Sequence, residues 1–192
     1  MRMQKNLSLT FPVDLPNGST GHIYSLPISR AVFETYYAEL GAVFTKCFSG
    51  DDAKHIALSA PQLCLPALKQ VARDMGTWDT PGGVQAGLIN ELKRLTSVAY
   101  VGTSGWETLP LDICIKREIV DEDTESEVLS ALCFFSAISR VAPKNLAGTF
   151  LQMAGSLRNW QTTASTFTEL LDSLPTLIPA ESLTANLPPV VS

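Results

Sequence analysis

Charge is scarce in this sequence. Only 17% of its 192 residues are Asp, Glu, Lys or Arg, against about a quarter in an ordinary soluble domain. Basic residues in particular are few and scattered. Fourteen Lys and Arg face nineteen Asp and Glu, for a net charge of −5, and no patch exceeds a pair such as Lys93-Arg94 or Lys116-Arg117. A surface that tracks phosphates needs a basic stripe, so nucleic acid is excluded as a partner. Histidine occurs twice, at His22 and His55, and cysteine four times, at Cys47, Cys64, Cys114 and Cys133. No C-x-x-C is present and the histidines do not complete a ligand spacing, which excludes a structural zinc site. Each cysteine lies among apolar neighbours, so four free, buried thiols are expected, as in a reducing compartment. No apolar run approaches the roughly 18 residues that read as a membrane span. The opening Met1-Arg2-Met3-Gln4-Lys5-Asn6 leads into alternating residues, not the apolar stretch of a secretory signal. A cytoplasmic location is therefore expected. The glycines form neither G-x-G-x-x-G nor a phosphate loop, and Gly102-Thr103-Ser104-Gly105 lacks the spacing of a nucleophile elbow. No cofactor is called for.

What is abundant is apolar: 45% of residues are hydrophobic, and mean hydropathy is +0.14. With so little charge to cover the surface, this surplus points toward association with other polypeptides.

The pattern of those apolar residues predicts a mainly α protein with an N-terminal β-hairpin (α+β): a compact helical body and a flexible C-terminal tail. Over residues 4–27, Leu7, Leu9, Phe11 and Val13 alternate with Ser8, Thr10, Pro12 and Asp14, Pro16-Asn17-Gly18-Ser19 signals a turn, and His22–Leu26 returns. One edge of this hairpin is expected to be open to another chain. Ser29 is expected to cap a long helix through Val32, Phe33, Tyr36, Tyr37, Leu40, Val43, Phe44 and Phe48. Asp51 or Asp52 then caps a second, which Pro61 and Pro66 divide into two short pieces. Thr80-Pro81 has the form of a helix start, followed by a stripe of Val84, Leu88, Ile89, Leu92, Leu95 and Val98. Trp106 to Ile115 reads as a short helix docked by its tryptophan. The acidic run 121–127 opens a helix carrying Val128, Leu129, Leu132, Phe135 and Ile138 and ending before Pro143. Leu146 to Trp160 and Ser165 to Leu171 complete the helices. One domain, residues 1–172, is expected, followed by a tail, 173–192, rich in proline and aliphatic residues and expected to be disordered.

Two groups of side chains have a chemical reading. Asp51, Asp52 and His55 share a helical face eight residues and fewer from Cys47, so a small enzyme built on Cys47 and His55 is one possibility; capping aspartates beside a surface histidine are the commoner explanation. Asp121, Asp123 and Glu125 alternate as calcium ligands do, but the glycine bend and the closing glutamate are missing, so a solvated helix start is expected instead. Neither a catalytic nor a metal site is predicted.

Three stretches carry a resemblance: Gly105-Trp106-Glu107-Thr108-Leu109-Pro110-Leu111-Asp112, Ile119-Val120-Asp121-Glu122-Asp123, and Glu127-Val128-Leu129-Ser130-Ala131-Leu132-Cys133-Phe134-Phe135-Ser136. With Ser173-Leu174-Pro175-Thr176 they resemble the tail assembly chaperones of long-tailed phages. The resemblance implies a non-catalytic protein of the host cell cytoplasm that binds the tape measure protein, helps recruit tail tube subunits and self-associates; such proteins are often made in a second, longer form by ribosomal frameshifting. It carries no individual partner-binding residue over to this chain. The alternative is a structural virion component, such as a head–tail connector or tail accessory protein.

Overall fold

The computed structural model describes residues 8–48, 53–103, 105–141, 148, 149, 151, 152, 155 and 159–174, with the backbone alone for 48 and 53–59. Its core is built on a five-stranded antiparallel sheet, in the order β4 (Gly105–Pro110), β3 (Thr96–Gly102), β2 (Thr20–Ser25), β1 (Ser8–Asp14), β5 (Gln161–Thr163). The expectation of a mainly α fold with a lone N-terminal hairpin is thereby corrected to α+β with a full sheet.

The hairpin forms as its turn chemistry dictates. Strands β1 (Ser8–Asp14) and β2 (Thr20–Ser25) pair with Phe11 opposite Ile23. Gly18 takes φ 79°, and the Asn17 side chain accepts from the Ser19 amide at 2.9 Å, the conformations for which Asn-Gly is chosen. The hairpin's flanks are not open, however. β2 pairs with β3 (Thr96–Gly102), and Ser8–Thr10 of β1 pair with β5 (Gln161–Thr163). Beyond β3 lies β4 (Gly105–Pro110). Val98 and Trp106, expected in helices, are therefore strand residues; a helix, α5 (Leu111–Lys116), begins only after Pro110.

Leu9, Phe11, Val13, Ile23 and Val98 line one face of the sheet, all buried. Helix α6 (Glu122–Val141) packs against β1, and α2 (Tyr37–Phe48) and α3 (Ala53–Asp74) pack on α6 and on each other, all within one core. Every residue from Val128 to Ile138 is buried. A helix apolar all round belongs in the centre of a core, and α6 holds that place; Ala131 and Ala137 leave room for its neighbours. The first long helix divides at Tyr36 into α1 (Arg30–Thr35) and α2, with Ser29 capping α1 as expected, its hydroxyl accepting from the Val32 amide at 3.2 Å. Asp121 likewise opens α6 by accepting from the Thr124 amide at 2.8 Å. The outer face of the sheet is partly covered by α7 (Phe167–Ser173), whose Phe167 stacks on Tyr24 with centroids 5.1 Å apart. Residues 175–192, most of the predicted tail, lie outside the described residues, as does most of the predicted helix 146–160.

Pro61 and Pro66 do not break α3, which runs on through both. Proline removes the amide that would bond four residues back and pushes that carbonyl aside. Here Gln62 loses the amide of Pro66, and Ser130 of α6 replaces it. The Ser130 hydroxyl donates to the Gln62 carbonyl at 3.0 Å and accepts from the Leu65 amide at 3.0 Å. A single side chain thus satisfies a donor and an acceptor in the opened helix. Ser130→Ala is expected to cost about 1 kcal/mol or more, since two part-buried backbone groups lose their partner. Urea denaturation beside the exposed control Ser126→Ala checks this; equal midpoints would disprove the plugging role.

Candidate functional site

The possible Cys–His centre is only partly represented. Asp51 and Asp52 lie outside the described residues, and His55 is described as backbone in the first turn of α3. Cys47, half-buried near the end of α2, has a different neighbour: its sulfur lies 3.6 Å from that of Cys64 on α3. The Cys64 thiol bonding to it holds the Cys47 thiol below its ordinary range, against a smaller opposing effect of burial. Cys64 is pushed up, first by that same contact and then by burial. Cys114 is raised to about 11 and Cys133 to about 12, both chiefly by burial. Three of the four expected buried thiols are buried and all four are free, while Cys47 keeps partial exposure. Sequence reasoning missed the pairing because a separation of 17 residues matches neither a motif nor a helical repeat.

The acidic run divides into separate tasks. Asp121 caps α6, and hydrogen bonds from Thr124 hold its carboxyl below the usual range. Glu125 pairs with Lys93 at 2.6 Å. Asp123 and Glu127 border a cleft of about 320 Å³ with Pro61, Gln62, Ser126, Ser130 and Trp160. Among the described residues no group of three His, Cys, Asp or Glu side chains is placed to hold a metal ion. A second depression, about 430 Å³, lies between α4 (Asn90–Arg94) and α5. Its cations are matched locally: Lys93 with Glu125, Arg94 with Glu91, Lys116 with Asp112.

The end of the molecule where α2 begins and α3 finishes is more unusual. The Tyr36 hydroxyl donates to the Gly82 carbonyl at 2.9 Å, and Thr77 donates to buried Glu39 at 2.8 Å. Burial, then the Glu39 carboxylate, raises the Tyr36 phenol above its ordinary range. Thr80 does not cap a helix here. A π-helical segment, Val84–Ile89, starts after Gly83, and its leading amides are satisfied by loop carbonyls, Val84 to Thr77 at 2.9 Å and Gln85 to Trp78 at 3.2 Å. The segment begins three residues later than a Thr80 cap would set it, with Gly83 at the N-cap position, and backbone carbonyls take its first amides. On the outside of this end, Tyr37 is 63% exposed and Met75 49% exposed. Phe33 packs edge-on against Tyr37, centroids 5.8 Å apart. Glu39–Thr77 and Tyr36–Gly82 tie these segments together, so Phe33, Tyr37 and Met75 stand on one tethered region. Leu26 and Leu63 are also exposed, elsewhere on the surface.

No family model, characterised protein or solved structure matches this chain. No helix among the described residues is long and apolar enough to cross a membrane.

Proposed function

We propose that this protein is a non-catalytic tail assembly chaperone of a long-tailed phage, which holds the tape measure protein during assembly and helps recruit tail tube subunits. The reading starts from the resemblance over residues 105–136. Those residues form one continuous unit, β4-α5-α6, ending in the central helix of the core. The observation that carries the binding role is the exposure of Tyr37 and Met75 on two segments that the Glu39–Thr77 and Tyr36–Gly82 hydrogen bonds tie together. Tyr37, 63% exposed, and Met75, 49% exposed, with partly buried Phe33 bracing the tyrosine ring, suit the capture of an apolar stripe on a helix. A tape measure protein supplies such stripes along its length by the same resemblance.

Co-expression tests this. With the native chain, the tape measure protein of the same phage is expected to move from the insoluble to the soluble fraction as a complex. Tyr37→Asp combined with Met75→Asp is expected to weaken that complex at least tenfold, about 1.4 kcal/mol or more, with the thermal midpoint of the free chaperone unchanged. A tape measure protein indifferent to the native chain would overturn the chaperone reading. Undiminished binding by the double variant would move the docking surface elsewhere.

A further inference from the structure

We propose that Cys47 and Cys64 are a thiol pair that low-molecular-weight disulfides convert into an intramolecular disulfide, fastening α2 to α3. The proposal is independent of the partner assigned above. The two sulfurs sit 3.6 Å apart on packed helices; a bonded pair needs about 2.05 Å, a difference of the size that rotation about the side-chain bonds covers. The pair is also asymmetric in access. Cys47 is partly exposed while Cys64 is fully enclosed, so an incoming reagent meets Cys47 first. Of the four thiols, Cys47 is the one shifted toward the thiolate, by the bond from its neighbour, and the thiolate is the attacking form.

Two exchanges complete the reaction. The Cys47 thiolate attacks one sulfur of glutathione disulfide, breaking its S–S bond and releasing one glutathione thiolate, which takes up a proton. The Cys64 thiol then gives up its proton and attacks the Cys47 sulfur of the mixed disulfide, releasing the second glutathione. The protein loses two electrons and two protons, and the oxidant gains both as two thiols. Cys133 on α6 interacts electrostatically with both members and is the competing acceptor. Cys114, against the Leu109 carbonyl at 3.9 Å, stands apart from them.

The test equilibrates the full-length native chain with defined mixtures of reduced and oxidised glutathione, blocks free thiols and maps the linked peptides by mass spectrometry. The expected product is a Cys47–Cys64 link with Cys114 and Cys133 blocked only after unfolding. The linked form is expected to melt about 6–12 °C above the reduced form, from the closed loop it adds, and the difference is expected to vanish on reduction. Cys64→Ser is expected to stop at the mixed disulfide on Cys47. A folded native chain that keeps Cys47 free, holds it only as the mixed disulfide, or links it to Cys133 would overturn the proposal. Since the native chain alone decides among these, instability of the Cys64 variant leaves the test intact.

Discussion

Gly87→Ala is expected to cost about 3 kcal/mol, at the upper end for inserting a methyl into a packed site, and to lower the thermal midpoint by about 6–12 °C. The glycine lies inside the π-helical segment, directly beneath the Tyr36 hydroxyl. A Cβ at this position would overlap that oxygen and sit 2.8 Å from the ring carbon bearing it and 3.0 Å from the Gly82 carbonyl. None of these neighbours yields easily. The ring is buried, its hydroxyl is bonded to Gly82, and the carbonyl is backbone. A second substitution separates this crowding from mere loss of glycine. Tyr36→Phe alone should cost about 1 kcal/mol for the hydrogen bond to Gly82. In the Gly87→Ala background it should instead recover part of the lost stability, because the overlapping oxygen is gone while the ring carbon and the Gly82 carbonyl remain. A double-mutant cycle that shows simple additivity would refute this account of the site. If Gly87→Ala also abolishes partner capture at temperatures where it remains folded, the tethering of Tyr37 to this end is part of binding.

The same region shows where a sequence is legible and where it is not. The β1-β2 hairpin was readable because its information is local: four turn residues and a period of two. The Ser29 cap and the acidic start of α6 were readable for the same reason. β3 and β4 were not. Leu92, Leu95 and Val98 happen to continue a helical period across the true boundary at Leu95, and the cue against it was the β-branched and aromatic content of Thr96–Val101. Its decisive partner, β2, lies far back in the chain, and no local pattern reports such pairing. The prolines of α3 misled in the opposite direction, since the groups they orphan are satisfied from outside the helix, by Ser130. For the candidate sites, Cys47 stood out in the sequence, but Cys64 beside it emerged only once α2 and α3 were packed. The exposure of Tyr37 was hidden in a stripe it shares with buried Tyr36 and Leu40, because the break at Tyr36 turns the two halves differently.

Trp160→Ala should be the most damaging single truncation in the C-terminal third, at about 3–5 kcal/mol. The sequence placed Trp160 at the end of a helix. It lies instead just ahead of β5, 7% exposed, with its ring 5.4 Å from Phe11 and 5.9 Å from Phe134. It thereby joins the C-terminal segment to both layers of the core, strand β1 and helix α6. Other ties of that segment among the described residues are slighter, including three residues of strand pairing, the Thr10 hydroxyl to the Gln161 carbonyl at 3.5 Å, the Tyr24 hydroxyl to the Ser165 carbonyl at 3.0 Å, and the Phe167 stack on the outer face. A strand of three residues has little stability of its own, so β5 and α7 hold their place largely through the indole. Two measurements check this. The urea midpoint of Trp160→Ala should fall well below that of Phe167→Ala, whose ring is only partly buried and should cost about 1 kcal/mol. Amide exchange in the N–H groups that bond Ser8–Thr10 to Gln161–Thr163 should accelerate together, because losing the indole frees the strand as a unit. With β5 released, the edge of Ser8–Thr10 becomes available to another chain, and concentration-dependent association of the variant is the expected consequence. Equal midpoints for the two variants would mean that β5 is held by its hydrogen bonds and the stack alone.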